Sequence, residues 1–123
     1  MSERFVDVGS VDNFIAEQEN KALLQKTQRD VKLLQTFLGT RNELRKVEEI
    51  PALELNKYIC EFIISVRTKD GKDYEPSSLR SLLASFEHLK KNSYFASIMN
   101  DLVFEKTRKV LLSKQKELKK KGN

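Results

Sequence analysis

Few side chains in this sequence have the chemistry of a catalytic centre. The single histidine is His88 and the single cysteine is Cys60. His88 would act as a general base only if an orienting group came from elsewhere in the fold. Nothing near Cys60 would lower the pKa of its thiol, so we interpret it as a core or boundary residue. Because Glu48 and Glu49 are expected on a solvated loop and Tyr58 in an apolar stripe, no complete active site is predicted.

Composition excludes several further classes of function. A lone cysteine leaves no disulfide framework and no cysteine-based zinc site. Neither G-x-x-x-x-G-K-[ST] nor G-x-G-x-x-G occurs, so no phosphate-cradling loop is predicted. No apolar run approaches the roughly 18 residues of a membrane span. We therefore expect a single soluble domain that is not an enzyme, with no metal, cofactor, small-molecule substrate or membrane partner.

Charge is unevenly distributed along the 123 residues, whose formal net charge is +5. Residues 1–20 carry one base and five acids. Residues 21–46 carry seven bases and two acids, and residues 105–123 carry eight bases and two acids. The two basic segments predict contact with an anionic partner, most plausibly nucleic-acid phosphate. Solvated helix faces are the alternative interpretation.

The hydrophobic pattern has the period of helices rather than strands. Ser10 is predicted to cap a short first helix with an apolar stripe at Val11, Phe14 and Ile15. A second helix, which Gly39 ends, is predicted to place these residues on one side: Leu24, Val31, Leu34, Phe37 and Leu38. Whether the two helices are separate or continuous is left open by the sequence. Residues 40–50 are expected to form a polar connection.

Three further segments complete the predicted bundle. Pro51 begins a third helix, with an apolar face from Leu55 to Val66. Pro76 begins a fourth helix after a turn at Asp70-Gly71, and Asn100 or Asp101 caps a last one. The apolar positions of the last two helices are Leu79, Leu82, Leu83, Phe86, Leu89, Phe104, Leu111 and Leu118, and the connection between them is expected to pack Tyr94, Phe95, Ile98 and Met99.

The face of the fourth helix opposite its apolar stripe is small and polar, with basic edges. Such a face lets a helix approach a DNA groove closely; a plain solvated face is the alternative. The residues of this face and its edges are Ser77, Arg80, Ser81, Ala84, His88 and Lys91.

Several motifs, taken in their order along the chain, resemble the core-binding region of Crypton-type tyrosine recombinases and their domesticated eukaryotic relatives. Residues 26–38 (KTQRDVKLLQTFL) resemble the threonine-led basic helix of that region. The most specific part is Tyr74-Glu75-Pro76-x-Ser78-Leu79. The other matching positions are Leu53, Leu55, Asn56, Tyr58, Phe62-Ile63, Arg67, Gly71, Phe86-x-His88-Leu89, Asp101-x-x-Phe104, Leu111 and Leu118. The resemblance covers roughly residues 10–122.

This resemblance implies an all-α, SAM-like fold, which we expect to be a single compact bundle of four to five helices. Residues 1–9 would be a flexible N-terminus, 10–118 the core-binding domain and 119–123 a basic tail leading to a C-terminal catalytic domain absent from this chain. The family pattern often has Arg where this chain has Glu87. The implied location is the eukaryotic nucleus.

The resemblance implies that the second and fourth helices face duplex DNA in site-specific recombination and integration, with other recombinase protomers as further partners. Lys and Arg would mainly contact phosphates, and Ser, His and Arg would read base edges. Face geometry and charge give the candidate residues as Lys26, Thr27, Arg29, Lys32, Ser77, Arg80, Ser81, Ala84, His88 and Lys91, with Lys106, Arg108 and Lys109 as a weaker surface. The alternative function is a protein-interaction module of a chromatin or transcription protein, using apolar residues left outside the core such as Leu23, Leu33 and Phe37.

Overall fold

The computed structural model describes residues 4–93, 98 and 100–121, without the side chains of residues 89–93. In this part of the chain all regular structure is helical, as the sequence predicts. The four α-helices are α1 (Val11–Thr40), α2 (Ala52–Ser65), α3 (Pro76–Ser93) and α4 (Glu105–Lys121), with 3-10 turns at Val47–Glu49 and Leu102–Phe104. None of these helices is long and apolar enough to cross a membrane.

Helix α1 answers the question that the sequence left open, because the first two predicted helices are one continuous helix. The Ser10 hydroxyl accepts a hydrogen bond from the Asn13 amide at 3.3 Å, which confirms the predicted N-cap. Gly39 does not end the helix, which runs on to Thr40. The chain reverses instead at Asn42, whose φ of 61° lies in the left-handed region that asparagine tolerates.

The core lies between the second half of α1 and the other three helices. Of the apolar positions predicted for the last two helices, the buried ones are Leu79, Leu82, Leu83, Phe86, Leu111, Leu118 and Phe104, the last in the 3-10 turn before α4. The side chain of Leu89 lies outside the described residues. Phe62 of α2 has its ring centroid 5.5 Å from those of both Phe37 and Phe86. These two edge-to-face contacts join α1, α2 and α3 around one buried ring. Cys60 is buried as predicted, 3.6 Å from the Thr107 hydroxyl.

We expected a polar connection between α1 and α2, but part of it packs into the core. Val47 and Ile50 are buried in the core, and the Val47 amide donates a 2.9 Å hydrogen bond to Gln35 of α1. Helix α2 then begins after Pro51 and ends at Ser65, one residue before the predicted Val66. Two spaced apolar residues are too short a signal to distinguish a buried turn from a solvated loop.

The start of the last helix differs from the prediction. Asp101 precedes the 3-10 turn and not α4, which begins at Glu105. Of the predicted connection residues, Ile98 is fully buried, whereas Tyr94, Phe95 and Met99 lie outside the described residues.

Leu24 was predicted to be on the packed side of its helix, but its side chain is 55% exposed. The buried positions of α1 begin only at Thr27, so Leu24 lies in its exposed first half.

Candidate nucleic-acid interface

A groove of about 610 Å³ lies between α1, the loop that follows α2, and the first turns of α3. Five basic side chains and one carboxylate line it: Lys26, Arg29, Lys32, Arg67, Lys69 and Asp30. Leu33, Tyr74 and Leu82 supply apolar surface between them. We call this the basic groove. It brings together four of the residues singled out from the sequence, namely Lys26, Arg29, Lys32 and Ser81.

Helix α1 presents Arg29 and Lys32 to solvent along one wall of the basic groove. Both side chains are exposed, and neither has a carboxylate within ion-pair distance among the described residues. Their helix is anchored by Leu34 and Leu38, which lie on its opposite side and are fully buried. Helix α1 therefore holds in place two cations that have no carboxylate partner among the described residues.

Lys26 has a different environment from its two neighbours. Its ammonium group donates to the Asp30 carboxylate at 2.6 Å, to the Ser85 hydroxyl at 2.9 Å and to the Ser81 carbonyl at 3.1 Å. The Ser85 hydroxyl in turn donates to Asp30 at 2.6 Å. These contacts join α1 to α3, so the positive charge of Lys26 is largely used inside the protein.

The loop between α2 and α3 supplies the cations of the opposite wall. Thr68 accepts a hydrogen bond from Gly71 and donates one to Lys72, both at 2.9 Å, which closes the predicted Asp70-Gly71 turn. Gly71 has a φ of 78°, a conformation that favours glycine. Within this turn Lys69 is exposed and lines the groove without an ion-pair partner among the described residues.

Arg67 is fixed by its own neighbours at the start of the same loop. Its guanidinium donates to the carbonyls of Ile64 and Val66 and lies 3.2 Å from the Asp73 carboxylate. The sequence analysis missed both Arg67 and Lys69 as site residues. The signal in the sequence was two basic residues just before the Asp70-Gly71 turn, and nothing in that pattern indicates which helix the turn lies against.

A second groove of about 490 Å³ lies on another side of α1. Thr27, Gln28, Lys32 and His88 are among its lining residues. His88 is exposed, as a base-reading side chain must be, whereas Thr27 is only 5% exposed. The Thr27 hydroxyl is buried and has no hydrogen-bond partner in the described structure.

The other candidates on α3 occupy its outer surface. Ser77, Arg80 and Ala84 are exposed there, and Ser81 is half-buried at the edge of the basic groove. Lys91 lies in α3, but its side chain is outside the described residues. Arg80 therefore adds one accessible cation on the outer face of α3, one turn from Ser77 and Ala84, and is not among the groove-lining residues.

The weaker surface on α4 is separate from the basic groove. Lys106 and Lys109 are exposed and line a depression that shares no residue with that groove. Lys109 is paired with Glu105 at 3.0 Å. Arg108 donates to the carbonyls of Ile98 and Asp101 at 2.8 and 2.9 Å, so its charge holds the turn before α4.

The basic groove has exposed cations with apolar side chains between them, so it is suited to bind a polyanion that also has stackable or apolar groups. Arg29, Lys32 and Lys69 would contact phosphate oxygens, and the hydroxyls of Ser78 and Ser81 lie beside them. The described residues contain no cluster of three or more histidine, cysteine, aspartate or glutamate side chains suited to a metal ion.

Comparison with protein-family models, with curated proteins and with solved structures finds no significant match to this chain.

Proposed function

We propose that this chain binds duplex DNA through the basic groove, with the phosphate backbone lying between α1 and the loop from Arg67 to Tyr74. In this proposal the chain is the core-binding module of a recombinase related to the Crypton type, or of a domesticated relative. The module grips one face of the duplex. A separate catalytic domain would carry out strand exchange and integration, and the protein would act in the nucleus.

The observation that carries the proposal is the placement of Arg29, Lys32 and Lys69 around one groove without carboxylate partners among the described residues. Cations that are exposed and unpaired retain their full attraction for phosphate. Each phosphate that they neutralise would release counterions from the duplex, which makes the binding favourable at low salt and weak at high salt.

The exposed polar residues on either side of the groove would make the other contacts. Arg80 and Ser77 would extend the phosphate contacts along α3, and His88 would reach a base edge or a neighbouring phosphate. Thr27 and Lys26 would make no DNA contact, because the first is buried and the second is bound to Asp30. The resemblance implies a clamp in which a second domain holds the other face of the duplex, so we expect weak affinity for this domain by itself.

The test is a fluorescence-anisotropy titration of mixed-sequence duplex DNA at several salt concentrations. We expect wild-type binding in about the micromolar range or weaker, with a steep fall as salt rises. The triple variant Arg29→Ala, Lys32→Ala, Lys69→Ala should bind more weakly, with a slope of log affinity against log salt that is shallower by about 3.

A matched control removes the same number of positive charges elsewhere. Lys57, Lys116 and Lys120 are exposed and are not among the groove residues, and their triple alanine variant should retain most of the slope. Lys26→Met should leave the slope unchanged and lower stability instead. Absence of binding at low salt, or equal effects of the two triple variants, would contradict the proposal.

A protein-interaction module is the second candidate function, and a specific observation favours it. Val11, Phe14 and Ile15 are 63%, 58% and 48% exposed on the first half of α1. Leu23 is also exposed, whereas Leu33 and Phe37 are half-buried against the core. On α1 the exposed apolar surface therefore includes the predicted Leu23, but not Leu33 or Phe37, and lies on the first half of the helix.

A further inference from the structure

The first half of α1 is an exposed amphipathic helix. Every residue from 11 to 25 is exposed, whereas residues 26–40 include the positions buried against the other helices. At about 1.5 Å per residue the first half is about 22 Å long. A helix of this length that exposes Phe14 and Ile15 would be only marginally stable alone in water, so a partner that covers it is expected.

The two halves of α1 carry opposite charge. Residues 11–25 contain Asp12, Glu17 and Glu19 against one lysine, and residues 26–40 contain three cations against Asp30. The apolar stripe and the exposed cations also share a face, since Val11, Ile15, Ala22 and Arg29 follow at spacings of 4, 7 and 7. That face is opposite to the one through which Leu34 and Leu38 pack into the core.

An antiparallel second copy of α1 can cover the apolar stripe of the first half and pair opposite charges along both halves. The acidic, apolar half of each copy then lies along the basic half of the other, whereas a parallel arrangement would oppose like charges. Because α1 is continuous, its first half cannot fold back onto its own second half. We propose that two copies of this chain form a two-fold symmetric dimer through antiparallel α1 helices, with residues 11–25 of each lying along Arg29 and Lys32 of the other.

In this dimer the apolar stripe would cover the half-buried Leu33 and the aliphatic part of the Lys32 side chain. The carboxylates would lie near the cations of the basic groove. The dimer itself does not depend on DNA binding. One consequence rests on the proposed function: the acidic helix and the DNA phosphates would compete for Arg29 and Lys32, so dimerisation would inhibit DNA binding.

Sedimentation equilibrium of the full chain, without DNA, tests the pairing directly. We expect a monomer–dimer equilibrium that moves toward monomer as salt rises. The variant Phe14→Ser, Ile15→Ser should weaken the dimer at least about tenfold. Leu44→Ser is the control, because Leu44 is 94% exposed but lies outside α1. A monomer at every attainable concentration, or a dimer unaffected by the double substitution, would overturn the proposal.

A charge exchange tests the antiparallel arrangement. Asp12→Lys, Glu19→Lys makes the first half basic, and Arg29→Glu, Lys32→Glu makes the packed half acidic. Each variant alone should dimerise more weakly than wild type. All four substitutions in one chain should restore the dimer, since each basic first half then meets an acidic packed half, whereas a parallel pair would again oppose like charges. Failure of the fourfold variant to dimerise better than either double variant would refute antiparallel pairing.

The DNA titration separates this proposal from the proposed function. If both hold, Phe14→Ser, Ile15→Ser should bind DNA more tightly than wild type at concentrations where wild type dimerises. If DNA binding fails altogether, the sedimentation results still decide whether the dimer exists.

Discussion

Ser85 donates its hydroxyl hydrogen to the Asp30 carboxylate over 2.6 Å, across the interface of α3 and α1. The two residues are 3% and 8% exposed, and the Lys26 ammonium group donates to both. This three-residue cluster fixes how α1 lies on α3 and therefore sets the wall of the basic groove. It also explains why adjacent cations of one helix have different roles, since Lys26 is inside the cluster and Arg29 is outside it.

Replacing Ser85 with alanine should destabilise the fold. A hydrogen bond to a charged group contributes about 2 kcal/mol, and Asp30 would remain buried without one of its donors. Urea unfolding measures the loss. Ser77→Ala is the matched control, because Ser77 is exposed on the same helix; an equal change in both variants would show that the cluster contributes nothing.

Replacing Thr27 with valine should stabilise the protein. Valine has nearly the shape of threonine and removes a buried hydroxyl that has no hydrogen-bond partner in the described structure. We expect a gain of about 1 kcal/mol in the free energy of unfolding. Thr36→Val should give no such gain, because Thr36 is exposed and its hydroxyl donates to the Lys32 carbonyl at 3.0 Å. A loss of stability in Thr27→Val would indicate a partner for this hydroxyl.

Two glycine-to-alanine substitutions should have opposite effects. Gly39 is helical with nothing within 4 Å of an added Cβ, so Gly39→Ala should raise the free energy of unfolding by about 0.5–1 kcal/mol. Gly71 has a φ of 78°, so Gly71→Ala should lower it by about 1–2 kcal/mol. Thermal or urea unfolding checks both. Effects of the same sign would contradict this difference in backbone conformation.

The pH dependence of the free energy of unfolding should reveal the contribution of the Glu43 carboxylate. Hydrogen bonds from the Arg45 side chain and backbone lower the pKa of Glu43 from 4.5 to about 2. Because the folded-state pKa is depressed, this carboxylate contributes stability that is present above pH 4.5 and lost as the pH falls toward 2.

Urea unfolding between pH 2 and 6 should therefore show a shallower acid loss for Glu43→Gln than for wild type. Glu48→Gln, which changes an exposed carboxylate in the same connection, is the control. The pKa of Tyr58 is raised chiefly by its hydrogen bond to Glu43, at 3.0 Å, and should fall in Glu43→Gln. An unchanged tyrosine titration would argue against this contact.

The sequence by itself determined the local elements. Helix α3 begins at Pro76 and buries Leu79, Leu82, Leu83 and Phe86, and the chain turns at Gly71, because each depends on residues within about one or two helical turns of each other. Arg29, Lys32 and Ser81 were identified as residues of an exposed or half-exposed face for the same reason.

Only the tertiary structure decided which of these faces meet. It placed Lys69 on the groove wall opposite Arg29, bound Lys26 to Ser85, and left residues 11–25 exposed. Lys69 and Arg29 are 40 positions apart and Lys26 and Ser85 are 59 apart. Their placement depends on how the helices pack, and no local period of the sequence encodes that arrangement. Leu24 illustrates the difference, because its position in the helical pattern is that of a core residue but its side chain is 55% exposed.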